Sequence, residues 1–163
     1  MATATQVSVE EYLRTSYEPE CEYVNGTVLG RNIGLLHHSL AHTKILSYLA
    51  SLQKELGICV FPSLTLKISP THYRIPDLVI FREEPDEQVP STPPLVCVEV
   101  LSTEDDVRSM LKKIAGYLEF GVPYVWLIDA PAKQAFVFTN REMRCVETLR
   151  ADHIEVPLSE IFD

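Results

Sequence analysis

The sequence predicts an α/β fold, a mixed β-sheet flanked by helices, and three observations predict it. Two short runs rich in Val, Ile and Leu, Arg74–Phe81 and Pro94–Ser102, are bounded by Pro and polar residues, as buried strands are. The second run leads into a helical pattern and then another apolar run, Tyr124–Asp129, a βαβ step that implies a right-handed parallel crossover. Hairpin signals lie on either side, at Asn25-Gly26 and at Asn140-Arg141, and imply antiparallel flanks. The 163 residues are read as one domain, 1–163, long enough to bury most of its apolar surface without cross-links.

The elements follow in order. Ser8-Val9-Glu10-Glu11 has the form of a capping box and opens a short helix reaching about Tyr17. Glu22–Leu29 is a hairpin, because Asn25-Gly26 supplies the two positive φ angles of a type I′ turn. Leu36, Leu40, Leu46, Leu49, Leu52 and Leu56 recur near helical spacing, and Gly57 ends that helix. Ile58–Phe61 and Leu64–Ile68 read as strands, followed by the Asp77 strand, an acidic loop at 83–87 and the Glu99 strand. Ser102 or Thr103 is the expected cap of a helix through Glu119, with Val107, Met110, Leu111, Ile114 and Leu118 as its core stripe, acids in its first turn and Gly121 as its stop. Tyr124–Asp129, a hairpin of Ala135–Thr139 with Met143–Thr148, and a last short helix from Leu158 to Phe162 complete the chain.

The net charge of −9 argues against a dedicated nucleic-acid binder, whose affinity comes from a surplus of Lys and Arg. It leaves room for a nuclease, because a carboxylate-built site adds negative charge that a metal partly returns. Contact with a polyanion is then expected to be weak and metal-dependent. No apolar run approaches the roughly 20 residues of a membrane span. The first residues show neither a basic nor an apolar leader pattern. Cys21, Cys59, Cys97 and Cys145 form no C-x-x-C pair, and Cys59 and Cys97 fall in apolar strands, as expected of a reduced, cytoplasmic protein.

Asp77 and Glu99 are the anomalies, carboxylates inside apolar runs. A buried ionised carboxylate is costly unless partnered, and a hard divalent cation is one efficient partner. Alternation places Glu99 on the face of Leu95, Cys97 and Leu101, opposite Val96, Val98 and Val100. The plainer alternative makes Asp77 a turn residue after Pro76 and Glu99 the ion-pair partner of Arg74. Lys113 shares a helix edge with Asp106 and Tyr117, whereas Lys112 points away from the core stripe; a surface Lys is commonly just solvated. His38 and His42 share a helix face, but without H-E-x-x-H or a nearby Cys they make a weak transition-metal pair. No G-x-S-x-G elbow or phosphate-binding Gly loop is present.

Together, Arg74–Ile80, Pro94–Ser102 and Lys113–Asp129, with Glu22–Gly26 and His38-Ser39, resemble the bacterial putative restriction endonuclease family of the PD-(D/E)XK nuclease superfamily. The resemblance implies a restriction-endonuclease-like core and Mg²⁺- or Mn²⁺-assisted hydrolysis of DNA phosphodiester bonds. It implies that Asp77 and Glu99 are the metal-binding acids. Two residues after Glu99 stands Leu101 rather than the superfamily's Lys, and the basic residue falls instead on Lys113. Glu22, His38 and Tyr117 match auxiliary positions, with Tyr117 more a positioning group than a nucleophile. A homodimer or higher homo-oligomer would suit cutting of two strands. Two other readings stay open: a nuclease fold kept as a catalytically weak binding or regulatory module, and a structural α/β domain with an oligomeric interface.

Overall fold

The structure, a computed structural model, describes residues 5–31 and 34–163; part of the stretch used for the leader argument, residues 1–4, lies outside them. The N-terminal part comprises α1 (Val9–Arg14), β1 (Cys21–Val24), β2 (Thr27–Gly30) and α2 (Leu36–Leu56). The middle carries β3 (Cys59–Pro62), β4 (Leu66–Ser69), β5 (His72–Arg74), β6 (Leu78–Phe81) and β7 (Val96–Leu101). Then follow α3 (Val107–Phe120), β8 (Tyr124–Asp129), β9 (Gln134–Phe138), β10 (Met143–Val146), β11 (Thr148–Ala151), β12 (Ile154–Pro157) and a 3₁₀ turn, Leu158–Glu160.

The central sheet has six strands in the order β10-β9-β8-β7-β6-β3. β7 and β8 are parallel, joined through α3, while the other pairs are antiparallel, so the expected mixed sheet with helices is found. Its two faces carry two cores. Val96, Val98 and Val100 pack with α2 and the β11–β12 hairpin on one side. Val79, Cys97, Val125 and Leu127 pack with Met110, Ile114 and Tyr117 of α3 on the other. A four-stranded sheet, β2-β1-β5-β4, brings in the N-terminal hairpin, with Tyr12 of α1 packed against Tyr23 and Tyr73.

Local chemistry explains both the agreements and the departures. Asn25 and Gly26 take φ of 48° and 87°, as the I′ turn requires. The Ser8 hydroxyl caps α1, but the helix ends at Arg14, where the Thr15 hydroxyl bonds back to the Glu11 carbonyl and the backbone turns extended. In α2 the buried stripe is Ala41, Ile45 and Leu49, whereas Leu36 and Leu40 are exposed: register against the sheet, not side-chain size, selects the inner face.

The expected Asp77 strand divides. β5 belongs to the four-stranded sheet and β6 to the six-stranded one, and Ile75, Pro76 and Asp77 make the passage between them. Leu95 joins the Val96 side of the sheet rather than the Glu99 side, because it precedes the strand. Helix α3 starts at Val107, not after Ser102 or Thr103. Asp106 is its cap, accepting from the Arg108 and Ser109 amides, while Asp105 is drawn to the Ser102 amide, and the first turn holds no acid. Val107 and Leu111 are exposed, and Tyr117 replaces them in the stripe.

β5 and the β11–β12 hairpin were not expected from the sequence. Leu149, Ala151, Ile154 and Val156 alternate inward around Asp152, whose positive φ makes the turn, so period two was present there. The last helix is a single 3₁₀ turn. All four cysteines are free, and among the described residues no helix is long and apolar enough to cross a membrane.

Candidate active site

Glu22, Asp77 and Glu99 are the buried charged residues among those described, and all three line one cavity of about 800 Å³. Strand register brings two of them together. β6 and β7 pair Leu78 with Val98, so the next step sets Asp77 opposite Glu99 on the face that α3 covers. The third arrives on the smaller sheet, where Tyr23 pairs with Tyr73 and Glu22 therefore faces Arg74.

The Lys113 ammonium bridges two of these acids, 2.9 Å from Glu22 Oε1 and 2.9 Å from Glu99 Oε1. One turn further along α3, the Tyr117 hydroxyl donates to the same Glu99 oxygen at 2.6 Å. Neither bond uses Glu99 Oε2. Glu22 is fully engaged, its Oε1 also accepting from the Ile75 amide at 2.9 Å and its Oε2 from Arg74 at 3.0 Å. Arg74 thus partners Glu22 rather than Glu99, contrary to the plainer alternative. Lys112 is exposed, outside this cluster.

Asp77 is anchored at several points. Its Oδ2 accepts from the Val100 amide at 2.8 Å and lies 3.5 Å from His38 Nε2, and its Oδ1 accepts from Arg31 at 2.7 Å. The Asp77 carbonyl accepts from the Ser63 amide and from His42 Nε2 at 3.1 Å. His38 and His42 stack with ring centroids 6.2 Å apart, and each turns a nitrogen to Asp77, so they are spent on orienting that residue rather than on a metal of their own. Arg31 is the residue that sequence reasoning missed. It follows β2 in irregular chain, without periodicity or motif, and only the folded contact with Asp77 reveals it.

The electrostatics separate the three acids. Burial, reinforced by the Asp77 and Glu22 charges, pushes the Glu99 carboxyl up to about 7, against the pull of Lys113. Burial also opposes ionisation of Glu22, but Lys113, the Ile75 amide and Arg74 outweigh it and hold it below its ordinary value. At Asp77 the same burial cost is outweighed by His38, the Val100 amide and Arg31, again lowering the pKa. Lys113, although half-buried, is held above its ordinary value by Glu99 and Glu22. The hydrogen bond to Asp77 raises His38 against burial.

The donor chemistry fits a hard cation: carboxylate oxygens, no thiolate, and an accessible wall of the cavity at Asp77 and Glu99. Mg²⁺ characteristically takes one or two carboxylates and fills its remaining positions with water and phosphate oxygen. Among the described residues, however, no three His, Cys, Asp or Glu side chains form a ready-made metal cage. Lys113 and Arg31 stand where a cage would need open oxygens.

The α/β architecture itself is shared with a solved structure. The fold matches a crystal structure described as a putative nuclease belonging to DUF820 from Anabaena variabilis ATCC 29413, with TM-score 0.83 and 21% identity, covering 96% of this chain and 97% of that one. The chain belongs to the Uma2 family, described as "Putative restriction endonuclease", which matches residues 9–162. None of the curated proteins compared matches it.

Proposed function

We propose that this protein is a single-domain, divalent-metal-dependent endonuclease that hydrolyses DNA phosphodiester bonds and acts as a homodimer or higher homo-oligomer in the cytoplasm. The observation that carries the reading is the convergence of all the buried acids on one cavity beside Lys113. A structural role alone would not require three carboxylates to be desolvated together, since each costs several kcal/mol unless compensated.

Asp77 and Glu99 would hold Mg²⁺ or Mn²⁺, Glu99 through the oxygen that Tyr117 and Lys113 leave unused. When bound, the cation supplies Lewis-acid charge to the scissile phosphate and acidifies a nearby water. Lys113 places a permanent positive charge where the phosphate oxyanion develops. Glu22 and Arg74 fix the Lys113 ammonium, Tyr117 fixes Glu99, and His38 helps to orient Asp77. Lys113 thus stands in for the Lys that position 101 lacks, and Leu101 is left to pack in the α3 core.

Replacing Asp77 by Asn or Glu99 by Gln should lower Mg²⁺-dependent cutting of plasmid DNA by at least about a thousandfold, with circular dichroism unchanged. Undiminished cleavage in both variants would overturn the reading. A catalytically weak binding or regulatory module is the second reading, favoured by the net charge of −9 and by the engagement of Lys113 with both acids. Calorimetry separates the two, because the module predicts no Mg²⁺ or Mn²⁺ binding at millimolar concentration.

A further inference from the structure

Arg31 has no task in the chemistry above, yet it lies against one of the buried acids of the site. Its Nη2 donates to Asp77 Oδ1 at 2.7 Å, while its Nη1 reaches out to Glu20 Oε2 at 3.1 Å and Ser63 Oγ at 3.4 Å. The guanidinium therefore spans from a buried carboxylate to an exposed one. The other oxygen, Asp77 Oδ2, is fixed by the Val100 amide of β7 and cannot readily be spared. Oδ1 is the one a cation would take, and Arg31 covers it.

The tether of Arg31 is light. It stands beyond the last residue of β2, outside any helix or strand, and its own amide reaches the Glu20 carbonyl at 3.4 Å. Arg74 differs: it sits within β5, paired to β1 and β4. A guanidinium on irregular chain, lining the cavity and sharing itself between two carboxylates, is suited to exchange partners. Its planar fork matches two phosphate oxygens better than the single oxygen it now holds on Asp77.

We propose that Arg31 is a phosphate-binding residue that latches Asp77 Oδ1 in the free protein and gives it up for a backbone phosphate of the nucleic acid. The inference rests on the metal-dependent nuclease reading and adds a coupling to it. Arrival of the polyanion withdraws Arg31, bares Asp77 Oδ1, and so tightens cation binding; by linkage the cation tightens nucleic-acid binding equally. The arrangement keeps the acidic protein from holding a reactive metal centre in the absence of substrate.

The test is a cycle of Mn²⁺ affinities measured by calorimetry, for wild type and Arg31→Ala, each alone and with a short phosphorothioate DNA duplex. Without DNA, Arg31→Ala should bind Mn²⁺ about tenfold more tightly (~1.4 kcal/mol), whereas damage to the site would weaken binding. With DNA present, the two proteins should bind Mn²⁺ alike, because Asp77 Oδ1 is then free of a guanidinium in both. In EDTA, the variant should bind the duplex several-fold more weakly. Arg31→Lys, which keeps the charge but not the fork, should fall between them and carries the test if the Ala variant misfolds. Equal affinities without DNA, or an advantage that DNA leaves unchanged, would overturn the latch, the latter pointing to simple charge removal. Absence of Mn²⁺ binding in every arm would instead overturn the nuclease reading beneath it.

Discussion

The two sides of the cavity are built differently. On one side, Glu99, Lys113 and Tyr117 come from the interior of β7 and α3, joined by the parallel crossover, and they close on one another within 2.9 Å. On the other, Asp77, Arg31 and Ser63 come from the passages between elements, and their partners are backbone amides, a His pair and a guanidinium shared with an exposed acid. The first side is set by regular secondary structure, whose geometry is over-determined by packing. The second is set by loop chain held at several points, and it can yield without disturbing either core. On the proposed reading, a site that holds a cation and also admits a polymer gains from having one of each.

Several substitutions would break or sharpen that contrast. Lys113→Ala should be the most damaging to stability, because it strips Glu22 and Glu99 of their shared cation inside the protein. Loss of about 3 kcal/mol in urea unfolding is expected, limited by the readiness of Glu99 to take up a proton, with nuclease activity falling about a hundredfold or more. A stability change under ~1 kcal/mol would show that the ordered side is less tightly coupled than its distances indicate. Glu22→Gln should cost less, since Arg74 can still donate to the remaining side-chain oxygen, but it should lower turnover through the misplaced Lys113 ammonium.

Tyr117→Phe removes one hydroxyl and leaves the ring in the core. It should cost about 1 kcal/mol of stability and reduce activity less than about tenfold, as a positioning group would. Complete loss of activity would instead make Tyr117 a chemical participant. On the yielding side, His38→Gln should leave the unfolding midpoint nearly unchanged and reduce activity modestly, because Asp77 keeps its amide and Arg31 contacts.

The smallest expected effect lies at the cap of α3. The Asp106 carboxyl is held below its ordinary value by the Ser109 hydroxyl and by the Ser109 and Arg108 amides. Its contribution is therefore present above its unfolded pKa of about 3.9 and is lost as pH falls through the lower folded value. Asp106→Ala should lower the melting temperature slightly at pH 7, and the difference should shrink as the pH is taken below about 3.9. A difference that persists unchanged in acid would deny the carboxylate that role.

The same contrast governs what the sequence discloses. Asp77 and Glu99 stand out because apolar runs make a carboxylate conspicuous, whereas helical spacing only sets Lys113 and Tyr117 on one edge and the family resemblance is what singles them out. α2 is bounded correctly at Leu36 and Leu56, and Gly57 and Gly121 both take left-handed φ at their helix ends. Arg31 is invisible because what sets it at the site is a tertiary contact 46 residues away in sequence. The boundary of the Asp77 run is hidden for a related reason: its first residue, Arg74, ends β5 of one sheet while Leu78–Phe81 form β6 of the other, and only the strand pairing shows where the chain passes between them. The exposure of Leu36, Leu40, Val107 and Leu111 shows that spacing finds a helix before it finds its inner face.

The Lys113 bridge also bears on how the protein comes to be folded. β6, β7 and α3 are near neighbours in the chain, so Asp77, Glu99 and Lys113 can meet early through short loop closures. Glu22 closes the trio from the far end of the sequence, after β1 has found β5 across nearly fifty residues. Loop-closure entropy places such a joining among the later events of folding. Amide exchange pulsed during refolding is expected to protect Val98 and Val125 before Tyr23. The protein would then acquire its sheet first and the Glu22 anchor of Lys113 second, so that no partly folded chain carries the completed cluster of acids around that ammonium.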